Sequence, residues 1–393
     1  MNVKQYLPLL DWLPGYGRSQ ATSDLVAAVI VTVMLIPQSL AYALLAGLPP
    51  QVGLYASILP LVVYAVFGTS RTLSVGPVAV ASLMTAAALA PLAQAGTSEY
   101  LVGAVVLATL SGVMLMAMGL LRLGFMANFL SHPVISGFIT ASGIVIAASQ
   151  LKHILGVEAS GHNLLDIIHS LAGSIGQTNW ATVAVGAGAL LFLLVARKRL
   201  NPLLRALGLA PRLADILTKT APILAVLVTT LLAWQLNLGA QGVKLVGQVP
   251  AGLPSLALPS LDWGLWQQLA VSALLISVVG FVESVSVGQT LAAKRRQRID
   301  PDQELIGLGA ANVSSGLSGG MPVTGGFSRS VVNFDAGART PMAGVFTALG
   351  IALTALFLTG AFTSPPKATL AATIVVAVLS LVDLPALNHT WHF

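Results

Sequence analysis

The sequence GGMPVTGGFSRS, residues 319–330, interrupts a long apolar region of the chain. It holds four glycines, one proline, three hydroxyl side chains and an arginine. Glycine and proline are the strongest local breakers of regular structure. A charged side chain inside an apolar segment is costly unless it faces protein or a water-filled cavity. The stretch therefore predicts a broken helix with the fixed charge of Arg329 beside the break.

The composition around this stretch predicts an integral membrane protein. Of 393 residues, 56% are hydrophobic and 8% are charged, and the mean hydropathy is +0.87, whereas a soluble domain has about 25% charged residues. Apolar windows of about 20 residues recur, as spanning helices require, and the alternation of a membrane β-barrel is absent. The absence of cysteine excludes disulfide and thiol chemistry. We expect an all-α polytopic protein whose partner is the lipid bilayer rather than nucleic acid.

Apolar windows and the breakers between them predict twelve crossings. The predicted spans are 24–46, 52–68, 72–92, 100–121, 125–150, 179–196, 220–236, 266–293, 305–319, 321–336, 341–361 and 366–382. The third and tenth are short and are interrupted by glycine and proline.

The basic residues predict the orientation of these spans. If the N-terminus is cytoplasmic, 15 of the 19 lysines and arginines lie inside, and only Lys152, Lys244 and Lys367 lie outside. This asymmetry is the positive-inside rule. The basic run at 294–298 is expected to fix topology, with a lipid-binding patch as the alternative. Asp24 is expected to cap the first helix.

Two pairs of spans resemble each other. PQSLAYALLAG begins at Pro37 and VESVSVGQTLA at Val282, which puts Gln38 and Glu283 in corresponding places 245 residues apart. SVGPVAVAS in the third span and MPVTGGFSRS in the tenth place Pro77 and Pro322 at the same separation. Interrupted segments at matching places in two halves indicate the binding site of a transporter.

This arrangement predicts an anion site between two half-helix N-termini, each with unpaired N–H groups and about half a positive charge. Irregular backbone in lipid is tolerated only in protein or at a cavity. Glycine permits close backbone approach, and hydroxyl groups and Arg329 add donors. The residues proposed for these roles are Gly76, Pro77, Gly325, Gly326, Thr324, Ser328, Ser330 and Arg329. The alternative is that the glycines only allow tight helix packing.

Glu283 lies in an apolar run and is predicted to couple anion movement to a cation. An ionised carboxylate repels an anion, so either a proton or a sodium ion bound at Glu283 allows the anion to enter. The alternative for both Gln38 and Glu283 is a buried structural contact. No phosphate-binding loop of the G-x-x-x-x-G-K-[ST] type is present and the histidines show no metal-ligand spacing, so we expect neither an enzyme nor a cofactor.

Several longer runs are similar to blocks of the SulP family, also called the sulfate permease or SLC26 family. They are PQSLAYALLAGLPPQVGLYASILPLVVYAVFGTSR (37–71), LSVGPVAVASLM, LSHPVISGF, SQLKHILG, GFVESVSVGQTLA, MPVTGGFSRSVVN and PKATLAA, in the family's order and over nearly the whole chain. The resemblance implies a fold of seven plus seven inverted-repeat spans, in which a core domain moves against a gate domain. It also implies a dimer and two half-helices preceded by short strands.

The resemblance also implies site residues. The anion would contact Gln38 and Tyr42 on the first span, Val78 on the third and the backbone around Phe327 and Ser328 on the tenth, with Arg329 in electrostatic support. Glu283 would be the carboxylate that couples transport to a cation. Family members have two further spans and usually a cytosolic STAS domain, so about 12 of 14 spans are expected here.

The domain organisation follows from the same resemblance. The expected parts are a cytoplasmic segment 1–23, core spans 24–122, gate spans 123–240, an extracytoplasmic loop 241–265, core spans 266–361, and a partial gate with the C-terminal tail 362–393.

The resulting hypothesis is a bacterial inner-membrane secondary transporter that moves sulfate with protons by an elevator-type mechanism. A sodium-coupled bicarbonate or dicarboxylate transporter is the second hypothesis. An anion channel or exchanger, a nucleobase transporter of the same architecture and a transport-silent shortened chain remain as alternatives.

Overall fold

The computed structural model describes residues 6–126, 132–159, 164–362 and 364–379. The first five residues of the expected N-terminal segment lie outside this range, as do the end of the predicted twelfth span and the C-terminal tail, residues 380–393. Two short strands are β1 (Val75–Gly76) and β2 (Thr324–Gly325). The helices are α1 (Leu9–Trp12), α2 (Arg18–Leu45), α3 (Pro50–Tyr55), α4 (Leu59–Phe67), α5 (Ala79–Leu89), α6 (Ser98–Leu120), α7 (His132–Leu155), α8 (Leu164–Ser174), α9 (Trp180–Val195), α10 (Asn201–Ala206), α11 (Pro211–Lys219), α12 (Ala221–Gln235), α13 (Trp263–Lys294), α14 (Pro301–Leu317), α15 (Phe327–Asp335), α16 (Met342–Phe357) and α17 (Lys367–Leu379).

Within the described residues, five helical stretches are long and apolar enough to cross a membrane. They are Arg18–Leu45, Pro50–Phe67, Ser98–Leu120, Trp180–Ala206 and Trp263–Lys294. Shorter apolar helices account for most of the other predicted spans. The predicted helical class and the two breaks are confirmed, since β1 precedes the short helix α5 and β2 precedes the short helix α15.

Local capping residues explain where several long helices begin. The Asp262 carboxylate accepts from Gly264 N at 2.9 Å at the start of α13. Asp300 accepts from Asp302 N at 3.0 Å before α14, which has Pro301 in its first turn. Each cap satisfies a backbone N–H that has no partner inside the helix.

One expectation about local structure is wrong. Asp24 does not cap the first helix, because α2 already begins at Arg18. Instead the Asp24 carboxylate accepts from Arg339 N at 2.6 Å and from Thr340 N at 3.2 Å, just before α16. The second predicted span matches the apolar stretch Pro50–Phe67, which consists of α3 and α4 with a turn at 56–58 between them. The segments between predicted spans at 151–178 and 197–219 contain helices α8, α10 and α11.

The described chain divides into two compact units. The first unit is Met1–Ser131 with Gly252–Phe357, and the second unit is His132–Ala251 with Leu358–Phe393. The expected core and gate boundaries stay predictions.

The first unit is built around α14, which packs against α6 and α4. The backbones of α6 and α14 approach so closely that a Cβ added at Gly112 would lie 2.6 Å from Gly309 O. Only glycine fits at such a crossing, as is common in membrane helix packing. The strands β1 and β2 pair antiparallel in this unit, with Val75 opposite Gly325 and Gly76 opposite Thr324.

The second unit is held together by α7, α9 and α17, which pack against one another. Ile154 of α7 contacts Ala371 and Val375 of α17, and Leu193 of α9 lies in a neighbouring apolar cluster. At one end of this unit Lys367 N donates to Lys244 O at 2.9 Å, and Lys244 Nζ forms an ion pair with Glu158.

Candidate functional site

Two half-helices begin next to the paired strands. Val78 is the N-cap of α5 and Gly326 is the N-cap of α15, and both residues have extended backbone. The first amides of each helix have no intrahelical acceptor, so they are available to a ligand. Ser82 N donates to Val78 O at 2.9 Å and Ser330 N donates to Gly326 O at 3.0 Å, which marks where the helical bonding starts.

The two broken segments are bonded to each other beyond the strand pairing. Gly326 N donates to Ser74 O at 3.0 Å, and Ser74 N donates to Ser330 Oγ at 2.9 Å. Asn333 Nδ2 donates to Thr72 O at 3.0 Å. These bonds join residues about 250 positions apart in the sequence and hold the starts of α5 and α15 side by side.

Side chains from the unbroken helices hold the second segment. Gly325 N donates to Ser284 Oγ of α13 at 2.8 Å, and the Ser284 and Thr324 hydroxyls are 2.7 Å apart. Asn312 of α14 bonds to both backbone polar groups of Val323. Its Nδ2 donates to Val323 O at 2.8 Å, and its Oδ1 accepts from Val323 N at 2.9 Å. A buried segment of irregular backbone is stable only when its polar groups are satisfied in this way.

Arg329 lies between the two half-helices and joins them. Its side chain is only 2% exposed, and Nη1 donates to Pro77 O at 2.6 Å. A Cβ added at Gly326 would lie 3.0 Å from Nη2, and one added at Gly76 would lie 3.3 Å from it. Both glycines therefore leave the room that the guanidinium occupies.

The remaining donors of Arg329 have no partner. Among the residues that the structure describes, no acceptor reaches Nε or Nη2, although both atoms are buried. An unpaired buried polar group costs about 1–3 kcal/mol, and more when it is charged. The site therefore presents a cation whose Nε and Nη2 have three N–H groups without an acceptor among the described residues, beside two helix N-termini.

Glu283 and Tyr42 are buried and lie within electrostatic range of Arg329. Glu283 directly precedes Ser284, which holds β2. The ion pairs found among the described residues do not include one between Glu283 and Arg329. The Glu283 charge therefore lies close enough to influence a bound anion without neutralising Arg329 in a direct ion pair.

The other predicted site residues differ in their burial and in their position relative to the starts of α5 and α15. Pro77 and Val78 are buried and directly precede α5. Phe327 is the first residue of α15 and is 43% exposed, and Ser328 is half-buried. Gln38 is half-buried and lies one turn before Tyr42 on α2, so the two share a helix face.

Two sequence interpretations of this region need correction. Pro77 lies one residue before its N-cap, whereas Pro322 lies four residues before Gly326, so the proposed equivalence of the two prolines is off by three residues. The Thr324 hydroxyl does not donate to a ligand, because Thr324 Oγ1 donates to Gly280 O at 2.8 Å. Ser330 Oγ accepts from Ser74 N, which leaves its own O–H to donate, so its role as an anion donor stays a prediction.

The sequence interpretation missed the residues that position the site. Ser284, Asn312 and Glu304 were not assigned a role, although each is buried and bonds to a broken segment or its approach. Polar residues inside apolar spans were the available signal, since such residues are rare unless they are bonded. Their partners are not visible in the sequence.

A profile of the sulfate permease family matches residues 22–393. A chloroplastic sulfate transporter 4.1 of Arabidopsis thaliana is 38% identical over 392 residues, which is 99% of this chain and 56% of that protein. A probable sulfate transporter of Mycobacterium tuberculosis is 36% identical over 97% of this chain and 66% of its own length. The chain thus spans between half and two thirds of these relatives.

Solved structures show the same architecture. The structure of SLC26A9 matches with a TM-score of 0.88 at 26% identity, over 99% of this chain and 62% of that one. The transmembrane domain of the cyanobacterial bicarbonate transporter BicA matches with a TM-score of 0.81 at 23% identity, over 94% and 91%. The match at 23% identity shows the fold alone. The family is one of permeases, which separates this chain from enzymes. With the profile, the relatives and the fold in agreement, the chain belongs to the sulfate permease family.

Proposed function

We propose that this chain binds a small anion between α5 and α15 and carries it across a membrane, with sulfate as the first candidate. The observation that carries the proposal is the buried guanidinium of Arg329, whose Nε and Nη2 have no acceptor among the described residues. An anion at the two helix N-termini supplies both acceptors and a counter-charge. Phosphate and sulfate groups bind helix N-termini for the same reason.

Sulfate is placed first because of the relatives. The plant and mycobacterial relatives are named as sulfate transporters and match nearly all of this chain. The geometry alone accepts tetrahedral and planar anions equally, because backbone amides and a guanidinium suit both. Bicarbonate therefore enters the test as a competitor.

Glu283 is proposed to couple the anion to a proton. An ionised carboxylate in electrostatic range of the site repels a dianion, and protonation removes the repulsion. A sodium ion at the same carboxylate has the same electrostatic effect and is the alternative coupling ion.

An elevator-type movement is proposed because every site residue belongs to the first unit. A site contained in one compact body can be carried by that body as a whole. We also propose a dimer in a bacterial inner membrane, with the N-terminus in the cytoplasm, where the positive-inside rule places it.

Uptake of radiolabelled sulfate into proteoliposomes that contain the 393-residue chain tests this function. We expect saturable uptake of labelled sulfate. An inward proton gradient is expected to stimulate this uptake, and a sodium gradient is not. Excess unlabelled bicarbonate is expected to inhibit the uptake less than excess unlabelled sulfate does. Sodium stimulation with stronger bicarbonate inhibition would favour the bicarbonate alternative. Uptake no greater than in empty liposomes would contradict transport.

Two variants assign the roles within the site. Arg329→Ala is expected to weaken sulfate binding about tenfold or more, since hydrogen bonds to a charged group contribute about 1.5–3 kcal/mol. Glu283→Gln is expected to remove the response to a proton gradient while sulfate binding persists. An unchanged affinity in the first variant, or an unchanged gradient response in the second, would remove that residue from its role.

A further inference from the structure

The basic run at residues 294–298 follows directly on α13, and Arg295 differs from the other basic residues in it. Lys294, Arg296 and Arg298 are exposed, whereas Arg295 is half-buried. Arg295 Nη2 donates to Phe334 O at 3.0 Å, and Nη1 donates to Ala338 O. The guanidinium carbon also lies 4.1 Å from the centroid of the Phe334 ring. Lys294 Nζ lies 5.8 Å from the centroid of the same ring. Arg295 therefore differs from the three exposed basic residues in its two hydrogen bonds and its closer contact with the ring.

The partners of Arg295 are at the C-terminal end of α15. Phe334 is the penultimate residue of that helix, and Ala338 lies three residues beyond its last residue. The last carbonyls of a helix carry about half a negative charge and lack intrahelical donors. Phe334 O already accepts from Gly337 N at 3.1 Å. The Arg295 guanidinium adds a charged donor to this carbonyl, a donor to Ala338 O beyond the helix, and a cation–π contact with the Phe334 ring.

Helix α13 therefore holds the second broken segment at both ends. Ser284 binds Gly325 N, next to the N-cap of α15, and Arg295 binds the carbonyls at the other end. Arg295 lies eleven positions after Ser284, which is about 16 Å along a helix. The nine residues of α15 span about 13 Å. The two attachment points on α13 thus match the length of the helix that they hold.

We propose that Arg295 is a positioning residue that clamps α15 to α13 and so keeps the free amides and Arg329 directed at the anion. This inference rests on the proposed function for its transport consequence. It differs from a topology role or a lipid-binding role, because either of those would be shared by the exposed members of the basic run.

The test compares Arg295→Ala and Arg295→Lys with Arg298→Ala, which removes the same charge from an exposed position. Sulfate KM and kcat are measured in proteoliposomes of one lipid composition. We expect Arg295→Ala to raise the sulfate KM about fivefold or more, as loss of roughly 1 kcal/mol of cation–π and hydrogen-bond energy implies. Arg295→Lys keeps the positive charge but lacks the two parallel N–H donors of a guanidinium. Its sulfate KM is expected to lie between those of Arg295→Ala and the unaltered chain. Arg298→Ala is expected to leave KM unchanged.

Hydrogen–deuterium exchange on the purified proteins measures how firmly Arg295 holds α15, and it does so independently of transport activity. Arg295→Ala is expected to increase exchange of the amides in 327–338, and Arg298→Ala is not. If the unaltered chain neither binds nor transports sulfate while this difference is seen, the proposed function fails and the clamp stands. If Arg295→Ala and Arg298→Ala behave alike in both KM and exchange, the clamp is wrong.

Discussion

Arg329 is the residue on which the candidate site depends. A charged side chain at the centre of a membrane costs about 2.5–3.5 kcal/mol on insertion scales. Arg329 is buried, and within the described part of the chain its side chain makes a single hydrogen bond, to Pro77 O. The remaining donors raise that cost unless a ligand accepts from them. An arginine in this state is therefore better explained as part of a binding site than as a structural contact.

A methyl group at Gly326 tests the position of this guanidinium. In Gly326→Ala the new Cβ would lie 3.0 Å from Arg329 Nη2 and 3.1 Å from Nε, so the side chain must shift by a few tenths of an ångström. The Gly326 backbone has φ −85°, which alanine also adopts. We expect sulfate affinity, measured by calorimetry, to fall several-fold while thermal stability changes little.

Gly188→Ala is the matched control for this substitution. Gly188 lies inside α9, and a Cβ there meets nothing within 4 Å. The control is expected to keep sulfate affinity and to gain up to about 1 kcal/mol of helix stability. Equal affinities in the two variants would show that the guanidinium position does not determine binding.

At the scale of secondary-structure elements, the site depends on intact helices that bind broken ones. Glu304 of α14 illustrates this, because its carboxylate accepts from Tyr64 Oη at 2.7 Å and from Thr69 N at 2.7 Å. It also accepts from Thr69 Oγ1 at 2.5 Å and Ser70 N at 3.0 Å. These donors lie at the end of α4 and on the approach to β1, so one buried carboxylate fixes the path into the first strand.

Glu304→Gln is expected to destabilise the protein by roughly 1–2 kcal/mol, because three donors then share a neutral amide oxygen in place of a charged one and the Tyr64 hydroxyl must turn to accept from the new NH₂. The side chain keeps its size, so packing is not the cause. Thermal unfolding in detergent measures the change. Glu99→Gln, at an exposed position in the first turn of α6, is expected to change stability by about 0.5 kcal/mol or less. Melting temperatures that fall equally in both variants would count against the network.

At the scale of the whole molecule, charge and composition determine orientation. The 15 basic residues assigned to the inside include Arg199, and the predicted outer loop 241–265 includes Leu261. Both side chains are exposed, Leu261 by 91%. The chain has no cysteine. A thiol reagent therefore labels only a cysteine introduced at a chosen position, and the labelling shows on which side of the membrane that position lies.

An impermeant maleimide applied to intact cells tests the orientation. We expect Leu261→Cys to react at once and Arg199→Cys to react only after the membrane is permeabilised. The cysteine-free parent gives the background. The reverse pattern would place the N-terminus outside, and labelling of both variants in intact cells would mean that the predicted number of crossings between the two positions is wrong.

Much of the site was predictable at the level of residue type. Arg329 and Glu283 stand out because charges are rare in apolar spans, and the breaks at Gly76 and Gly326 follow from glycine and proline in short segments. Which hydroxyls serve a ligand was not predictable. Thr324 was expected to donate to an anion, but its Oγ1 donates to Gly280 O, 44 positions away.

The sequence by itself determined the membrane class, the positions of the two breaks and the family, because hydropathy, helix breakers and motifs are properties of short stretches. Only the tertiary structure decided which donor meets which acceptor. It paired Asp24 with the start of α16, Ser284 with β2 and Arg295 with the end of α15. The physical reason is that a buried polar group must find a partner, and in this chain that partner is often tens to hundreds of residues away, brought close only by helix packing.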